Sequence, residues 1–243
     1  MGSSIDPARL VKDKRSGDIR QMFNAIAHRY DLANHVLSIG IDRLWRRRTR
    51  RELSRILGVA RPRILDVCCG TGDLSRELSL LGPVMGVDFA HDMLIRGHRK
   101  IATDPAVQGV HFVEGDGLAL PVRDGTFDAV TAAFGVRNFE DLQAGLREMA
   151  SKLRVDGVLA ILEFSKPDWP VFSAAFRLYF KRILPLLGGF ITGHRGAYTY
   201  LPASVESFIE PGLMMDELRS LGMRDIHAIK LTGGIARLYL ARK

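Results

Sequence analysis

The stretch Ile64-Leu-Asp-Val-Cys-Cys-Gly-Thr-Gly-Asp73 joins a short apolar run to a glycine-rich loop. Residues 63–68 are typical of a buried strand, and residues 73–81 beyond the loop follow a helical pattern. Gly70 and Gly72 let the backbone turn and pass close to a ligand. This order of strand, glycine loop and helix predicts a nucleotide-type cofactor site, although many cofactor-binding folds share a lone Gly-x-Gly.

The same alternation of strands and helices continues along the chain. Further strands are predicted at residues 83–88, 110–114, 127–134, 158–164, 225–231 and 235–241, and further helices at 16–57 (broken near 34–40), 92–103, 142–153 and 204–221. This rhythm predicts an α/β fold with a doubly wound, Rossmann-like and mainly parallel sheet. Gly233-Gly234 predicts that the last two strands form an antiparallel hairpin.

The organisation of the chain follows from these patterns. We expect a mobile N-terminal arm over residues 1–20 and a single domain over residues 21–243. Within that domain, residues 21–60 form a helical segment that folds over the cofactor as a lid or substrate segment. Residues 61–166 form the cofactor-binding core, 167–201 a helical insertion, and 202–243 the C-terminal helix and strands.

Composition restricts the class of protein. The 243 residues carry a net charge of +8, and 47% are hydrophobic, as in ordinary globular proteins. No apolar run approaches 18 residues, and residues 1–20 lack the apolar core of a secretory signal, so a cytoplasmic location is expected. Cys68 and Cys69 are adjacent, and no Cys/His cluster has zinc-ligand spacing, so neither a disulfide nor a metal site is expected. No zinc finger or helix-turn-helix is evident, so we expect no nucleic-acid partner.

The apolar residues 171–190 contain Arg177, Lys181 and Arg182. Such a segment is typical of a membrane surface, with the basic side chains toward phospholipid headgroups. A helical cap or a homodimer face explains it equally well. A peripheral position at the inner face of the membrane and a homodimer therefore both stay open.

Acidic side chains lie at or near the ends of three successive strands. Asp66 lies just before the glycine loop, Asp88 ends the second strand, and Asp116 comes just past the third. A carboxylate at the tip of the second strand accepts hydrogen bonds from ribose hydroxyls. Asp116 and the backbone amide of Gly117 are placed to bind the adenine ring.

The identity of the cofactor follows from this charge. Carboxylates around the loop favour S-adenosylmethionine, whose sulfonium and ammonium groups are cationic, and would repel the pyrophosphate of a dinucleotide. The loop also lacks the third glycine of a dinucleotide fingerprint, since Arg76 stands there. A dinucleotide-binding protein is therefore the weaker alternative.

The chain resembles the UbiE-type family of quinone-biosynthesis C-methyltransferases, from about Met22 to its C-terminus. Three stretches carry the specific resemblance: Ala27-His-Arg-Tyr-Asp31, Phe134-Gly-Val-Arg-Asn138 and Leu162-Glu-Phe-Ser-Lys-Pro167. The resemblance implies a class I S-adenosylmethionine-dependent methyltransferase fold over residues 21–243. It also implies cofactor contacts at Thr71, Asp88, Asp116 and Gly117. Ala133 stands where the family often has serine, so only its backbone is available for a cofactor contact.

The reaction implied by the resemblance is methylation of a ring carbon of a prenylated quinol, for which the phenolate is the reactive form. Arg137 is a candidate for stabilising this phenolate, with an ion pair to Asp66, Glu140 or Glu163 as its structural alternative. His28, Tyr30 and Glu163 are the other catalytic candidates, and His28 is equally explained by a structural role.

The acceptor we favour is demethylmenaquinol. A benzoquinol of ubiquinone synthesis, another small acceptor, and a non-catalytic S-adenosylmethionine-binding subunit of a quinone-synthesis complex remain alternatives.

Overall fold

One sheet organises the part of the chain that the structure describes. The computed structural model describes residues 10–11, 13–32, 38, 40–167, 178–179, 182, 185–186 and 195–243. The strands of the sheet are β1 (Ile64–Val67), β2 (Val84–Asp88), β3 (Val110–Glu114), β4 (Phe127–Ala133), β5 (Leu153–Phe164), β6 (Arg224–Leu231) and β7 (Ala236–Arg242). Their order is β3-β2-β1-β4-β5-β7-β6. β7 runs in the direction opposite to the other six strands, so its pairings with β5 and β6 are antiparallel. The predicted Rossmann-like, mainly parallel sheet with a C-terminal antiparallel hairpin is confirmed.

Helices cover both faces of the sheet. Those described are α1 (Ser16–Ile26), α2 (Ile41–Ile56), α3 (Asp73–Leu78), α4 (His91–Ala102), α5 (Leu142–Lys152), α6 (Arg195–Ser207) and α7 (Pro211–Ser220). Short 3₁₀ turns occur at Ala27–Arg29, Val136–Asn138 and Thr232–Gly234.

Alternate side chains of the strands fill two separate apolar layers. On one face, strand residues such as Ile64 pack against Trp45 and Leu53 of α2 and Leu78 of α3. On the other face, residues such as Leu65 pack against side chains of α5 and α7. The inner strands β1, β2, β4, β7 and most of β5 are thus buried on both sides, which fixes the sheet register and holds their ends in place.

The N-terminal residues differ from the predicted mobile arm. Leu10 is 3% exposed and Ile19 is fully buried. Both belong to a third apolar cluster, in which α1 meets Met93 of α4 and Tyr200 of α6. Burial of these apolar side chains holds the described part of the arm over the carboxyl edge of the sheet. The arm expectation is therefore wrong for these residues.

Two predicted elements have different bounds. The helix predicted over residues 204–221 is two helices, because Pro211 has no backbone N–H to continue α6 and instead begins α7. β5 begins at Leu153 rather than Val158, since Leu153 pairs with Phe127 across a register shift in β4.

Most of the helical insertion predicted at residues 167–201 lies outside the described residues. Its described end forms the first turns of α6. None of the helices in the described ranges combines the length and apolar character needed to cross a membrane.

Candidate active site

An open cleft lies at the carboxyl ends of the parallel strands, and the empty space within it, open solvent included, is about 710 Å³. β1 lies between β2 and β4, so this edge contains the switch point at which open α/β sheets bind their ligands. The residues that line this main cleft come from the N-terminal segment, from the ends of β2 and β4, from the loops after β1 to β4 and from α4: Ser16, Phe23, Tyr30, Cys68, Gly70, Asp88, Phe89, Met93, Asp116, Gly117, Leu118, Ala133, Phe134, Gly135, Asn138, Phe139 and Glu140.

A smaller side chamber adjoins the main cleft, with about 360 Å³ of empty space when open solvent is included. Five residues line both spaces: Tyr30, Cys68, Gly70, Ala133 and Phe134. The rest of the chamber wall is more polar and consists of Arg46, Asp66, Cys69, Thr71, Asp73 and Leu74. The main cleft and the side chamber therefore meet at a shared wall at the ends of β1 and β4.

Gly70 and Gly72 have different surroundings. Their φ angles are +55° and +80°. A Cβ on Gly70 would meet nothing within 4 Å, whereas a Cβ on Gly72 would lie 2.4 Å from the ring of Phe112. Gly70 thus leaves its backbone uncovered at the main cleft. Gly72 instead leaves room for the ring of Phe112 to pack against the loop. Only Gly70 of the two lines either space.

Asp88 connects the loops after β1 and β2. Its Oδ2 accepts a hydrogen bond from the Gly70 amide at 2.8 Å, and its Oδ1 accepts one from the Ala90 amide at 2.9 Å. Burial raises the pKa of Asp88 to about 6, against the opposing effect of these backbone amides. The carboxylate lines the main cleft and retains lone pairs for a ligand hydroxyl.

Asp116 lies in the loop after β3, on the wall of the main cleft. Its Oδ1 accepts a hydrogen bond from the Leu118 amide at 2.9 Å, which fixes the turn. At Gly117, a Cβ would lie 2.6 Å from the ring of Phe139. Glycine thus brings this backbone close to the aromatic wall, with both predicted adenine-binding positions in the cleft.

Asp66 is fully buried beside the side chamber. Its two carboxylate oxygens accept hydrogen bonds from Ser75 Oγ at 2.6 Å and Thr131 Oγ1 at 2.9 Å. Burial raises the pKa of Asp66 to about 6, although both hydroxyl donors act in the opposite direction. Much of its hydrogen-bonding capacity thus serves to hold β1, β4 and α3 together.

A cluster of polar and charged side chains joins the residues after α1 to the glycine loop. Thr71 Oγ1 donates to Asp31, which follows the first 3₁₀ turn. Lys100 Nζ of α4 lies 2.8 Å from Asp31 Oδ2, 3.2 Å from Thr71 Oγ1 and 2.5 Å from Asp73 Oδ1. We call these four residues the lid latch. It ties the end of the N-terminal segment to both the glycine loop and α4.

The turn after β4 has an unusual backbone. Phe134 has a φ of +59°, and Cys68, which faces it at the end of β1, has a φ of +55°. A Cβ on Gly135 would lie 2.3 Å from the Cβ of Cys68, so the two strand ends approach as closely as glycine permits. Such conformations are costly and cluster at functional sites. Ala133 at the start of this turn lines both spaces, with no side-chain hydroxyl.

Arg137 and Glu163 lie behind the Phe134 turn and form a buried ion pair. Arg137 Nη1 is 2.9 Å from Glu163 Oε1 and also donates to the Phe134 carbonyl. Glu163 accepts in addition from the Phe164 amide at 2.9 Å. Neither side chain lines the described walls of the two spaces. The ion pair considered as the structural alternative for Arg137 is therefore present, and a direct catalytic role for either residue finds no support in this geometry.

His28 and Tyr30 are separated by the end of the 3₁₀ turn. His28 is exposed and is not among the described residues that line either space. The structure thus gives no basis for His28 as a base. Tyr30 lies at the shared wall, with its ring in edge contact with Phe23 at 6.0 Å between centroids. Of the four catalytic candidates, Tyr30 is the one that the structure brings into the site.

Cys68 also lines both spaces. Burial raises the pKa of Cys68 well above its usual value, and the carboxylates of Asp88 and Asp66 raise it further. The thiol is therefore protonated at neutral pH, a state that does not suit a catalytic nucleophile.

Several functional residues were not predicted from the sequence. Arg46 and Lys100 approach the glycine loop from α2 and α4, and Ser16 and Asn138 line the main cleft. Arg46 did carry one signal, because Asp42 precedes it by one helical turn and the two form a buried pair. For Lys100, only the tertiary fold reveals the role.

The site fits S-adenosylmethionine. Gly70 leaves backbone open where a ligand would press against it, and acidic side chains border the region in which a cation would lie. A pyrophosphate would meet carboxylates instead of cations at Asp88 and Asp116. The fold and this site define the chain as a class I S-adenosylmethionine-dependent methyltransferase. A model of the ubiE/COQ5 methyltransferase family matches residues 9–243, and the chain belongs to that family.

Named relatives match nearly end to end. The chain is 43% identical over 235 residues to a demethylmenaquinone methyltransferase of Deinococcus radiodurans, covering 96% of this chain and 95% of the relative. It is 44% identical over 222 residues to the enzyme of the same name from Thermus thermophilus, covering 90% and 98%. A ubiquinone/menaquinone biosynthesis C-methyltransferase UbiE of Geotalea uraniireducens is 39% identical over 229 residues, covering 93% and 96%.

Solved structures share the fold at low sequence identity. A methyltransferase from Aquifex aeolicus that depends on S-adenosylmethionine has a TM-score of 0.57 at 16% identity, covering 79% of this chain and 88% of that one. The [4+2]-cyclase SpnF has a TM-score of 0.54 at 18% identity, covering 82% and 80%. A cyclase on this architecture shows that the fold alone does not determine the reaction.

Proposed function

We propose that the chain transfers a methyl group from S-adenosylmethionine to a ring carbon of a prenylated quinol, converting demethylmenaquinol to menaquinol. The observation that carries this proposal is the near full-length similarity to two demethylmenaquinone methyltransferases. The aromatic wall of the main cleft, which includes Phe23 and Phe134, supports it because a flat apolar ring packs well there.

The cofactor is proposed to span both spaces. Asp88 holds the ribose hydroxyls, while Asp116 and the Gly117 amide bind the adenine ring in the main cleft. The amino-acid end extends past Gly70 toward Thr71 and the side chamber. Support comes from the positions of these groups at successive strand ends and from the bare backbone of Gly70. This placement brings the sulfonium region near the shared wall.

The chemistry then depends mainly on alignment. When bound, the cofactor supplies an electrophilic methyl group. Loss of a hydroxyl proton from the quinol makes a neighbouring ring carbon nucleophilic, and that carbon loses its own proton after the new carbon–carbon bond forms. The rigid strand ends and the closed lid hold the reacting groups together and exclude water.

Tyr30 is proposed to contact the quinol hydroxyl. Its phenolic hydroxyl both donates and accepts hydrogen bonds, so it can bond to a hydroxyl of the quinol. Arg137 and Glu163 act indirectly in this scheme, because they hold the Phe134 turn that separates them from the ligand. They are positioning residues.

Methyl transfer to defined acceptors tests the function. The purified protein is supplied with methyl-labelled S-adenosylmethionine and either reduced demethylmenaquinone or a prenylated methoxybenzoquinol, and products are identified by mass. We expect label on the naphthoquinol ring. Label on the benzoquinol alone would contradict the proposed acceptor and indicate a role in ubiquinone synthesis instead. Tight cofactor binding without label on either acceptor would favour a non-catalytic subunit.

A membrane-surface contact is proposed for the region 171–190. Leu178 and Leu186 are each 62% exposed, and Arg182 is also exposed, so apolar and cationic groups both face outward there. A prenylated acceptor resides in the membrane, and anionic headgroups attract such basic segments. Flotation with vesicles containing anionic lipid should carry the protein upward, and neutral vesicles should do so less. A concentration-dependent dimer without flotation would instead assign these residues to a homodimer face.

A further inference from the structure

Arg46 of α2 enters the side chamber from the helix side. Its side chain is only 10% exposed. One terminal nitrogen, Nη1, pairs with Asp42 of the same helix, and the other, Nη2, lies 3.6 Å from Asp73 Oδ2. The guanidinium carbon lies 5.7 Å from the ring centre of Phe134, which lines the shared wall. Arg46 is therefore held rigidly beside the glycine loop.

The guanidinium of Arg46 has a nitrogen that is buried without a hydrogen-bond partner in the described part of the chain. The Nε–H of Arg46 is buried and has no hydrogen-bond partner among the described residues. Leaving a buried donor unpaired is costly, so such groups usually have a partner in the working state of a protein. Nε and Nη2 lie on the same edge of the planar group. This edge is the one that grips a carboxylate through two parallel hydrogen bonds.

The charges around the chamber indicate what completes this edge. Arg46 is the one cationic side chain among the described residues that line the chamber, alongside the acids Asp66 and Asp73. A ligand with both an ammonium and a carboxylate group would satisfy both kinds of charge. The amino-acid end of S-adenosylmethionine is such a group, and Gly70 and Thr71 of the glycine loop line the same space.

We infer that Arg46 binds the α-carboxylate of S-adenosylmethionine through its Nε–Nη2 edge, which rests on the proposed placement of the cofactor. The pair with Asp42 fixes the orientation of the guanidinium, and Phe134 covers its face. The N-terminal helical segment thereby supplies a ligand contact as well as a cover. A ligand that lacks the α-carboxylate cannot make this contact with Arg46 of α2.

The test compares two ligands that differ only in that carboxylate. Calorimetry measures binding of S-adenosylhomocysteine and of its decarboxylated analogue to the wild type and to Arg46→Met. We expect the substitution to weaken S-adenosylhomocysteine by about 10-fold to 100-fold, the range for a lost hydrogen-bonded charge pair, and the analogue by less than threefold. Arg47→Met changes the neighbouring exposed arginine and should alter neither affinity.

Two outcomes would overturn the inference. Equal weakening of both ligands would mean that Arg46 only supports the fold, and unchanged binding of S-adenosylhomocysteine would mean that it contacts nothing on the ligand. Arg46→Lys guards against misfolding, because it keeps the charge without the two-pronged edge and should still show a selective loss of about fivefold or more. These measurements involve no quinol, so a failure of methyl transfer would leave their result standing.

Discussion

Arg137 Nη1 lies 2.9 Å from Glu163 Oε1, with both side chains almost completely buried behind the Phe134 turn. If Arg137 acted only on the phenolate, Arg137→Ala would lower turnover and leave cofactor binding nearly intact. The ion pair changes that expectation, because the same guanidinium also binds the Phe134 carbonyl. Loss of Arg137 should leave a buried carboxylate unpaired and release the turn.

We therefore expect Arg137→Ala to lower the free energy of unfolding by about 3–5 kcal/mol, as measured by urea denaturation. Affinity for S-adenosylhomocysteine should fall as well. The double variant Arg137→Met/Glu163→Leu removes both charges and should recover part of the stability. Wild-type stability of Arg137→Ala would contradict the assigned role of the pair.

The pH dependence of cofactor binding tests the state of Asp88. Because burial raises its pKa to about 6, the carboxylate becomes protonated as the pH falls through that value. A neutral acid is a poorer acceptor for a ribose hydroxyl, so the Kd for S-adenosylhomocysteine should rise about 3-fold to 10-fold between pH 7.5 and pH 5. Asp88→Asn should bind weakly with a flatter profile. A flat wild-type profile would exclude titration of this group.

Stability should change with pH in the opposite direction. The pKa of Asp88 is higher in the folded chain than its ordinary 3.8, so the folded state holds the proton more tightly. Its contribution is fully present below pH 3.8 and is lost as the pH rises through about 6. Relative to Asp88→Asn, the wild type should lose about 1–3 kcal/mol of unfolding free energy over that window. A constant difference between the two proteins would disprove the shift.

The lid latch predicts a link between α4 and ligand release. Lys100→Met removes the ammonium that joins Asp31, Thr71 and Asp73. Amide hydrogen exchange should become faster in α1 and the 3₁₀ turn that follows it, and S-adenosylhomocysteine should dissociate several-fold faster. Lys166→Met is the control, since its partner Glu210 is exposed and lies outside the latch. Equal exchange in the two variants would show that apolar packing alone closes the lid.

Tyr30→Phe separates acceptor chemistry from cofactor binding. It keeps the aromatic contact with Phe23 and removes only the hydroxyl. We expect turnover to fall by about 10-fold or more, within the range for loss of a group that assists proton transfer, with S-adenosylhomocysteine affinity within twofold of wild type. Unchanged turnover would exclude the hydroxyl from the reaction.

Alanine at each glycine of the loop should give opposite phenotypes. Gly72→Ala drives a Cβ into Phe112, so its main effect should be a lower melting temperature. Gly70→Ala meets no protein atom and should cost about 1–2 kcal/mol of backbone strain, while its methyl group obstructs the ligand. Calorimetry and thermal unfolding distinguish the two. Loss of ligand binding in a fully stable Gly72→Ala would contradict this division.

The sheet could be predicted because each strand has an apolar pattern that is visible in the local sequence. The loops of the site could be predicted because they contain glycines or acidic residues directly at the strand ends. Asp88 and Asp116 were accessible to this reasoning, since parallel strands deliver their carboxyl ends to one edge. The partner of Arg137 was not, because Glu163 is 26 residues away and two other acids were equally plausible by spacing.

The lid illustrates the same limit. Leu10 and Ile19 lie in a polar stretch and become core residues only against Met93 and Tyr200, which come from distant parts of the chain. Arg46 belongs to an arginine-rich helix, and nothing local distinguishes it from its exposed neighbours except Asp42 one turn earlier. The burial of these side chains depends on contacts with distant parts of the chain, so the local sequence does not predict it.

The protonated state of Cys68 has a consequence for survival of the enzyme beside its proposed acceptor. Oxidation of a demethylated quinol gives a quinone whose unsubstituted ring carbon is attacked by thiolates, and a wall cysteine would ordinarily be alkylated there. Burial and the surrounding carboxylates raise the pKa of Cys68, so the reactive thiolate form is scarce. We therefore expect the negative field that suits a sulfonium also to slow alkylation of Cys68 by an oxidised acceptor.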